Sequence, residues 1–593
     1  MLSCLYHIRG AVILVVLVFT SLDAVAQTQQ PALAGETSEA SKTGSITGRV
    51  VNEGGQPLPD AIVSVRAFGS TARGQTAITD RDGNFKVSGL ERVPYLMSAL
   101  MPAHTTPPRE PDGTQATQYR VGDSVTFVLI KGGVITGRVT TAAGDPVVSI
   151  GVRAQMIRDA NGRRLSYQAF ARDSPTDDRG IYRIYGLPTG TYIVVAGGTR
   201  DYSRTGVNAF DTDVPTYAPS STRDTAAEIS VRGGDESNNV DIGYRGEPGR
   251  TISGVASGTR AEQSGFNITL TSIAEGGSQW NTAIYQEADA REFVFNGIAD
   301  GDYYLTAHSF LQDGERAFSE SRLIKVRGAD IAGIELTTRP LGSISGRVVL
   351  EESKATECNE KGSPVLTETL ISAWHNENQA AKNQPQFIWA HGAPARADPQ
   401  GNIALKNLAP GEYYFVARFS AKYWYLQSIS VARSAAPGTK TAQVARPIDA
   451  ARTWTTVKPG DRISGLTITL AQGAASLRGQ LALGEGETLP ERLFVYLVPA
   501  EREKADDVLR FFAVPVTPDG KIALNNLAAG RYWVLAQPAI DGAQSPLTKL
   551  RLPDATETRA KLRRDAEAEK NEIELKPCQN VVDFRLRLNA SGQ

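Results

Sequence analysis

Gly44-Ser-Ile-Thr-Gly-Arg-Val50 decides how the rest of this 593-residue chain is read, because the phrase keeps returning. It recurs as Gly133-Val-Ile-Thr-Gly-Arg-Val139, Arg250-Thr-Ile-Ser-Gly-Val255, Gly342-Ser-Ile-Ser-Gly-Arg-Val348 and Ala475-Ser-Leu-Arg-Gly-Gln-Leu481. In each copy apolar side chains alternate around a central glycine. Alternation with period two marks a β-strand with one buried face. A glycine at its centre points to a bulge, or to another backbone passing close by.

A second phrase follows each first one. Thr79-Asp-Arg-Asp-Gly-Asn-Phe85 leads to Gly89-Leu90, and Thr176-Asp-Asp-Arg-Gly-Ile-Tyr182 leads to Gly186-Leu-Pro-Thr-Gly-Thr-Tyr192. Asp398-Pro-Gln-Gly-Asn-Ile403 precedes Asn407-Leu-Ala-Pro-Gly-Glu-Tyr413, and Thr517-Pro-Asp-Gly-Lys-Ile522 precedes Asn526-Leu-Ala-Ala-Gly-Arg-Tyr532. The third copy is degenerate: Asp289-Ala-Arg-Glu-Phe293 lacks the turn glycine but keeps Gly297-Ile-Ala-Asp-Gly-Asp-Tyr303. Asp and Gly supply turn chemistry, so the phrase encodes turn, strand, turn, strand. A third phrase closes each unit, clearest at Val457–Leu470 and matched position for position at Leu575–Leu588. Units of this length can each bury a core. The pattern predicts an all-β tandem array of five antiparallel β-sandwiches, at 44–131, 132–247, 248–339, 340–472 and 473–593. Short joints, such as Leu129-Ile-Lys-Gly-Gly133 and Leu470-Ala-Gln-Gly-Ala474, predict a semi-rigid rod.

Composition agrees and sets limits. Gly (56) and Pro (31) are plentiful, which suits a turn-rich chain, and 63 basic side chains meet 64 acidic ones. A net charge of −1 gives no global attraction to nucleic acid. Arg9 precedes an apolar run from Ala11 to Phe19, too short to span a bilayer, and Ala24-Val25-Ala26 supplies small residues for a signal peptidase. Residues 1–26 are therefore expected to be a signal peptide cut between Ala26 and Gln27. Residues 27–43 then form a flexible leader, and the mature protein is periplasmic or secreted with no transmembrane segment. Cleavage leaves Cys358 and Cys578 in a compartment that permits disulfides. The strand directions of a sandwich array bring both to the joint between the fourth and fifth units, which predicts that they are bonded. One helix is expected, at about 554–571, started by Asp554 with Glu557 three residues on. Its apolar face (Ala560, Leu562, Ala566) is thin, so a solvated surface helix is expected.

Taken together, the strand phrase, Pro57-Leu-Pro-Asp-Ala-Ile-Val-Ser-Val65 and the two turn phrases resemble the carboxypeptidase regulatory-like domain. The resemblance implies Ig-like/prealbumin-like seven-stranded sandwiches, a fold grouped with carbohydrate-binding-like domains. It also implies a kinship with tandem arrays in secreted bacterial proteins. The zinc peptidase that such a domain accompanies has no counterpart here. Related Cna B-type sandwiches carry Lys–Asn isopeptide bonds, but these opening strands offer Arg49, Arg138, Arg347 and Arg478 and no lysine.

Catalytic chemistry finds no support in the spacing. No histidine starts a zinc-ligand motif, no serine has glycine at both −2 and +2, and Gly520-Lys521 lacks a phosphate-loop frame. Asp80-Arg-Asp82-Gly83-Asn84 is half a calcium loop whose glycine comes too early, which favours a β-turn. No cofactor or metal is expected. The fourth unit concentrates aromatic residues, and Trp374, His375, Trp389, His391 and Trp424 are the candidate ligand-binding residues, stacking on sugar rings. The leading expectation is an exported, non-catalytic spacer or interaction protein that meets an unknown protein or polysaccharide of the envelope or extracellular space. A carbohydrate-binding protein using the fourth unit comes second, and an undetected hydrolase third.

Overall fold

Each opening strand sits between an antiparallel neighbour and a parallel one. In a computed structural model, Gly44–Val51 pairs antiparallel with Asn84–Leu90 and parallel with Ser124–Val128, the closing strand of its own unit. The structure describes residues 43–587 except 70–73, 108–116, 166–170, 199–209, 259–265, 275–278, 285–290, 311–313, 377–393, 433–446, 483–488, 491 and 540–545. The expected signal peptide, with Ala26 and Gln27, and residues 27–42 of the leader lie outside the described residues.

The arrangement recurs around Gly342–Glu351 and Ala475–Ala482, whose parallel partners are Arg462–Gln472 and Asn580–Arg587. Facing these sheets are second ones: Gln75–Ile78, Ile62–Ala67 and Tyr95–Leu100 in the first repeat, and Ala395–Arg396, Leu370–His375, Gly411–Arg418 and Thr455–Val457 in the fourth. In the third repeat the two layers are one continuous eight-stranded sheet. Arg316–Ser319 pairs with both Gly301–Phe310 and Ile331–Pro340 and so sews the layers together. Hydrophobic clusters follow the repeats. Ile46, Val63 and Phe85 gather in one, Ile135, Val152 and Tyr182 in another, and Ile252, Ile268 and Phe293 in a third. Ile344, Leu405 and Trp424, then Leu477, Val495 and Tyr532, centre two more. Residues 43–593 form one compact unit.

The central glycine of the opening strand has a spatial cause. A Cβ on Gly48, Gly137, Gly254, Gly346 or Gly479 would overlap the carbonyl oxygen of Val125, Val240, Ile334, Leu466 or Phe584 on the closing segment of the same unit. In four of these units the residue just before that carbonyl is left-handed: Asn239, Gly333, Gly465 and Asp583. A bulge of this kind turns a carbonyl toward its neighbour, and only a residue without a side chain leaves room.

The helical region differs from the expectation. Two helices form, α1 (Pro546–Arg551) and α2 (Thr556–Glu569), and α2 begins after Ala555, with no capping side chain from Asp554. Nor is α2 a solvated helix. Leu562 and Ala566 are buried with Leu550 of α1 against Tyr496, Val498 and Phe511. Arg559, 5% exposed, donates to the carbonyls of Leu550 and Leu552 and so completes the end of α1. Arg563 donates to the carbonyls of Pro499 and Ala500. Two guanidiniums do what the thin apolar stripe alone could not. Among the described residues no helix is long and apolar enough to cross a membrane.

The repeats also touch out of order. Thr367 Oγ1 donates to the Arg92 carbonyl at 2.8 Å, and Arg120 Nε stands 3.9 Å from Glu368. The first repeat therefore lies against the fourth, which an extended rod would not allow.

Candidate interaction site

The repeated polar residues are consumed by turns. Asp80 Oδ1 accepts from the amides of Asp82 (3.0 Å) and Asn84 (2.8 Å), and Asp177 and Asp398 repeat this with Arg179 and Ile181, and with Gln400 and Asn402. These hydrogen bonds, led at Asp398 by a further one from the Asn402 side-chain amide, hold all three carboxyls below the usual aspartate range. A carboxylate already accepting two amides is a turn residue, and among the described residues no group of three or more His, Cys, Asp or Glu could hold a metal. Arg49 and Arg138 donate from Nε to the carbonyls of Asp82 and Arg179 in the same turns.

The tyrosines are likewise spent. Tyr95, Tyr192, Tyr303, Tyr413 and Tyr532 each donate to the carbonyl four residues earlier, at 3.1, 2.8, 2.7, 2.8 and 2.7 Å. This is a tyrosine corner, which pins a strand start to the turn before it. Burial raises all five hydroxyls above the ordinary phenol value.

The aromatic candidates of the fourth repeat separate. Trp424 is fully buried and its Nε1 donates to the Gly362 carbonyl, so it belongs to the core and offers no face to a sugar. Trp374 is half-buried and stacks on Tyr414 with ring centres 6.4 Å apart, while Tyr414 meets Trp454 edge-on. His375 packs edge-on against Tyr413. Trp389 and His391 lie outside the described residues. Sequence reasoning had passed over Trp454.

Cys358 and Cys578 are brought together, their Cα atoms 5.4 Å apart and their sulfurs bonded. The bond sits beside the linker to the fifth repeat, where the Cys578 amide donates to Gly473 and Gln472 Nε2 donates to the Cys358 carbonyl.

Joint residues are what the sequence reading missed. Linker amides of Gly132, Gly249, Leu341 and Gly473 donate to the carbonyls of Ala103, Thr212, Arg316 and Tyr423, all in the preceding repeat. The turn residue that starts the Gly-Leu or Asn-Leu phrase is left-handed throughout: Gly89, Gly186, Gly297, Asn407 and Asn526. Gly297 sits against the carbonyls of Asp211 and Asp213. Where Asn replaces Gly, its amide group reaches back instead. Asn407 Oδ1 accepts from Arg316 N (2.8 Å) and its Nδ2 donates to Gly314, while Asn526 Nδ2 donates to Ala421 (2.8 Å) and Trp424 (2.7 Å). Asparagine is one of the few residues besides glycine that tolerate this conformation. The exchange of Gly for Asn in the phrase was the available signal.

One half-buried group outside the phrases titrates. His308 stacks on Phe318 (5.3 Å), and burial, with the Arg316 charge as a lesser cause, pushes its imidazole down to about 4. Its contribution to stability is whole above about pH 6.5 and is lost as the pH falls toward 4, because the unfolded chain takes up the proton first. Acid titration of the unfolding free energy should show a loss of about 2–3 kcal/mol over that window, absent in His308→Phe. A flat profile in the unsubstituted protein would refute this.

Residues 45–121 match the carboxypeptidase regulatory-like domain family. Among curated proteins none matches the chain. Solved structures similar to it include the TIE protein of Bacillus anthracis, at 12% identity over 70% of this chain and 69% of that one, with a TM-score of 0.14. The minor pilin of Streptococcus agalactiae is 13% identical over 34% of this chain and 96% of its own, with a TM-score of 0.18. The shaft pilin of Lactobacillus rhamnosus GG is 13% identical over 34% and 97%, with a TM-score of 0.15.

Proposed function

We propose that this chain is an exported, non-catalytic spacer and interaction protein that presents sandwich loops and edges to a protein or polysaccharide of the envelope or extracellular space. Its sandwiches span 44–131, 132–247, 248–339, 340–472 and 473–593, the first containing the carboxypeptidase regulatory-like match. The observation that supports this reading is the joint. The repeated phrase supplies, besides its own turn, atoms that meet the preceding repeat, as Asn407 and Asn526 do, and these contacts hold neighbours at a set angle. Small-angle X-ray scattering of the full chain beside an Asn407→Ala/Asn526→Ala variant tests it. The variant should show a broadened distance distribution with unchanged far-ultraviolet circular dichroism, and superimposable scattering would overturn the role given to the joints.

Glycan capture by the fourth repeat is a second reading, favoured by the aromatic trio Trp374, Tyr414 and Trp454. Retention of the full chain on insoluble polysaccharide, lost in Trp374→Ala, would support it over a pure spacer.

A further inference from the structure

Two adjoining cavities of about 490 and 530 Å³ open where the first, fourth and fifth repeats meet. They share Arg120, Phe419, Asn525 and Asn526. Lys422 and Arg478 line the first cavity, and Arg418 and Arg551 the second. No described carboxylate lines either one, although the chain as a whole has 64 acidic residues to 63 basic. Like charges gathered in a cleft repel one another and focus a positive potential that a bound anion relieves.

The hydrogen-bonding capacity of these cations is also unspent. Arg120 Nε and Arg551 Nε are buried without a hydrogen-bond partner, and Glu368 approaches Arg120 only to 3.9 Å. Among the described residues the Arg418 guanidinium has neither a hydrogen bond nor an ion pair. Arg551 lies over the Phe512 ring, 5.7 Å from its centre, which leaves the edge of its fork open. Desolvation lowers Arg418 below the usual guanidinium range and pushes Arg551 down to about 10. Nearby arginines with a structural task look different: Arg559 and Arg563 each give their donors to backbone carbonyls. A buried donor left unmet is costly, so its persistence in a cavity marks a place for an acceptor.

We propose that this cleft binds an elongated polyanion, with carboxylate or phosphate groups held by the forks of Arg120, Arg418 and Arg551 and flanked by Lys422 and Arg478. Guanidinium forks match the paired oxygens of either group, and two cavities side by side, sharing four lining residues, favour an oligomer over a single ion. The assignment does not depend on the spacer reading.

Calorimetric titration of the full chain tests it with three probes: inorganic tripolyphosphate, a tetragalacturonate and a neutral tetrasaccharide. Saturable binding is expected for at least one anion and not for the neutral sugar, and whichever anion binds identifies the source of the oxyanion. Affinity should fall about tenfold or more between low and high salt, and by about tenfold in Arg418→Gln and in Arg120→Gln. Arg478→Gln, on an exposed side chain, gives a weaker loss without touching the packing, and Arg502→Gln, at an arginine that lines neither cavity, should change nothing. Absence of saturable binding by both anions, equal binding of the neutral sugar, or affinity indifferent to Arg418, Arg120 and Arg478 would overturn the proposal.

Discussion

Replacing Gly346 with alanine will weaken the fourth repeat by more than about 3 kcal/mol, or leave it unfolded. The added methyl would overlap the Leu466 carbonyl and crowd the Leu466 side chain, both on the parallel strand that closes the same sheet. Neither strand can step aside. Gly342–Glu351 is held on its other edge by Asn402–Leu408, and Arg462–Gln472 on its other edge by Trp424–Val431. The lost pairing also exposes the core beneath, where Ile344, Leu466 and Ile468 are fully buried. Gly460→Ala is the matching control. That glycine is left-handed but meets nothing within 4 Å, so the change should cost only about 1 kcal/mol of backbone strain. Thermal unfolding and limited proteolysis of the two variants measure the difference, and equal midpoints would contradict the spatial account.

Removing the disulfide by Cys358→Ser/Cys578→Ser should cost about 2–5 kcal/mol, with the damage centred on one joint. The bond closes a loop of 220 residues, for which chain entropy gives roughly 5 kcal/mol as an upper figure. The fourth and fifth repeats have separate clusters, around Trp424 and around Tyr532, so each retains its interior when the link is cut. What loosens is the linker. Hydrogen exchange should speed up at the amides of Gly473 and Ala474, both bonded to the Tyr423 carbonyl, while amides of Leu493–Pro499 keep their protection. Uniform loss of protection across both repeats would refute a joint-centred effect, and two freely alkylated thiols in the unsubstituted protein would refute the bond.

Strands, turns and the crowding at the central glycines were legible because each is a short-range pattern repeated in register. An alternating phrase states which face is buried, and an Asp four residues before an amide states its own turn. The helices were harder. Leu562 and Ala566 make a poor stripe, and nothing local announces that Arg559 and Arg563 will find carbonyls on α1 and on the strand end at Pro499. Trp424 looked like a binding residue because strand alternation does not say which face is inner. The contact of Thr367 with Arg92 spans 275 residues and has no period at all, so neither it nor the basic cleft beside it could be read from spacing.

The joints have a direction. A repeat offers loop carbonyls at its far end and a left-handed Gly or Asn at its near end, so its two docking surfaces are unlike and complementary. Contacts of this head-to-tail kind do not close on themselves and can be continued. A duplication that copies one whole repeat therefore inserts a complete joint with it, and neighbours on both sides meet the surface they met before. Lengthening or shortening by whole repeats leaves the remaining sequential joints intact, though not the contact of Thr367 with Arg92 across the array, whereas a cut within an inner repeat destroys two joints.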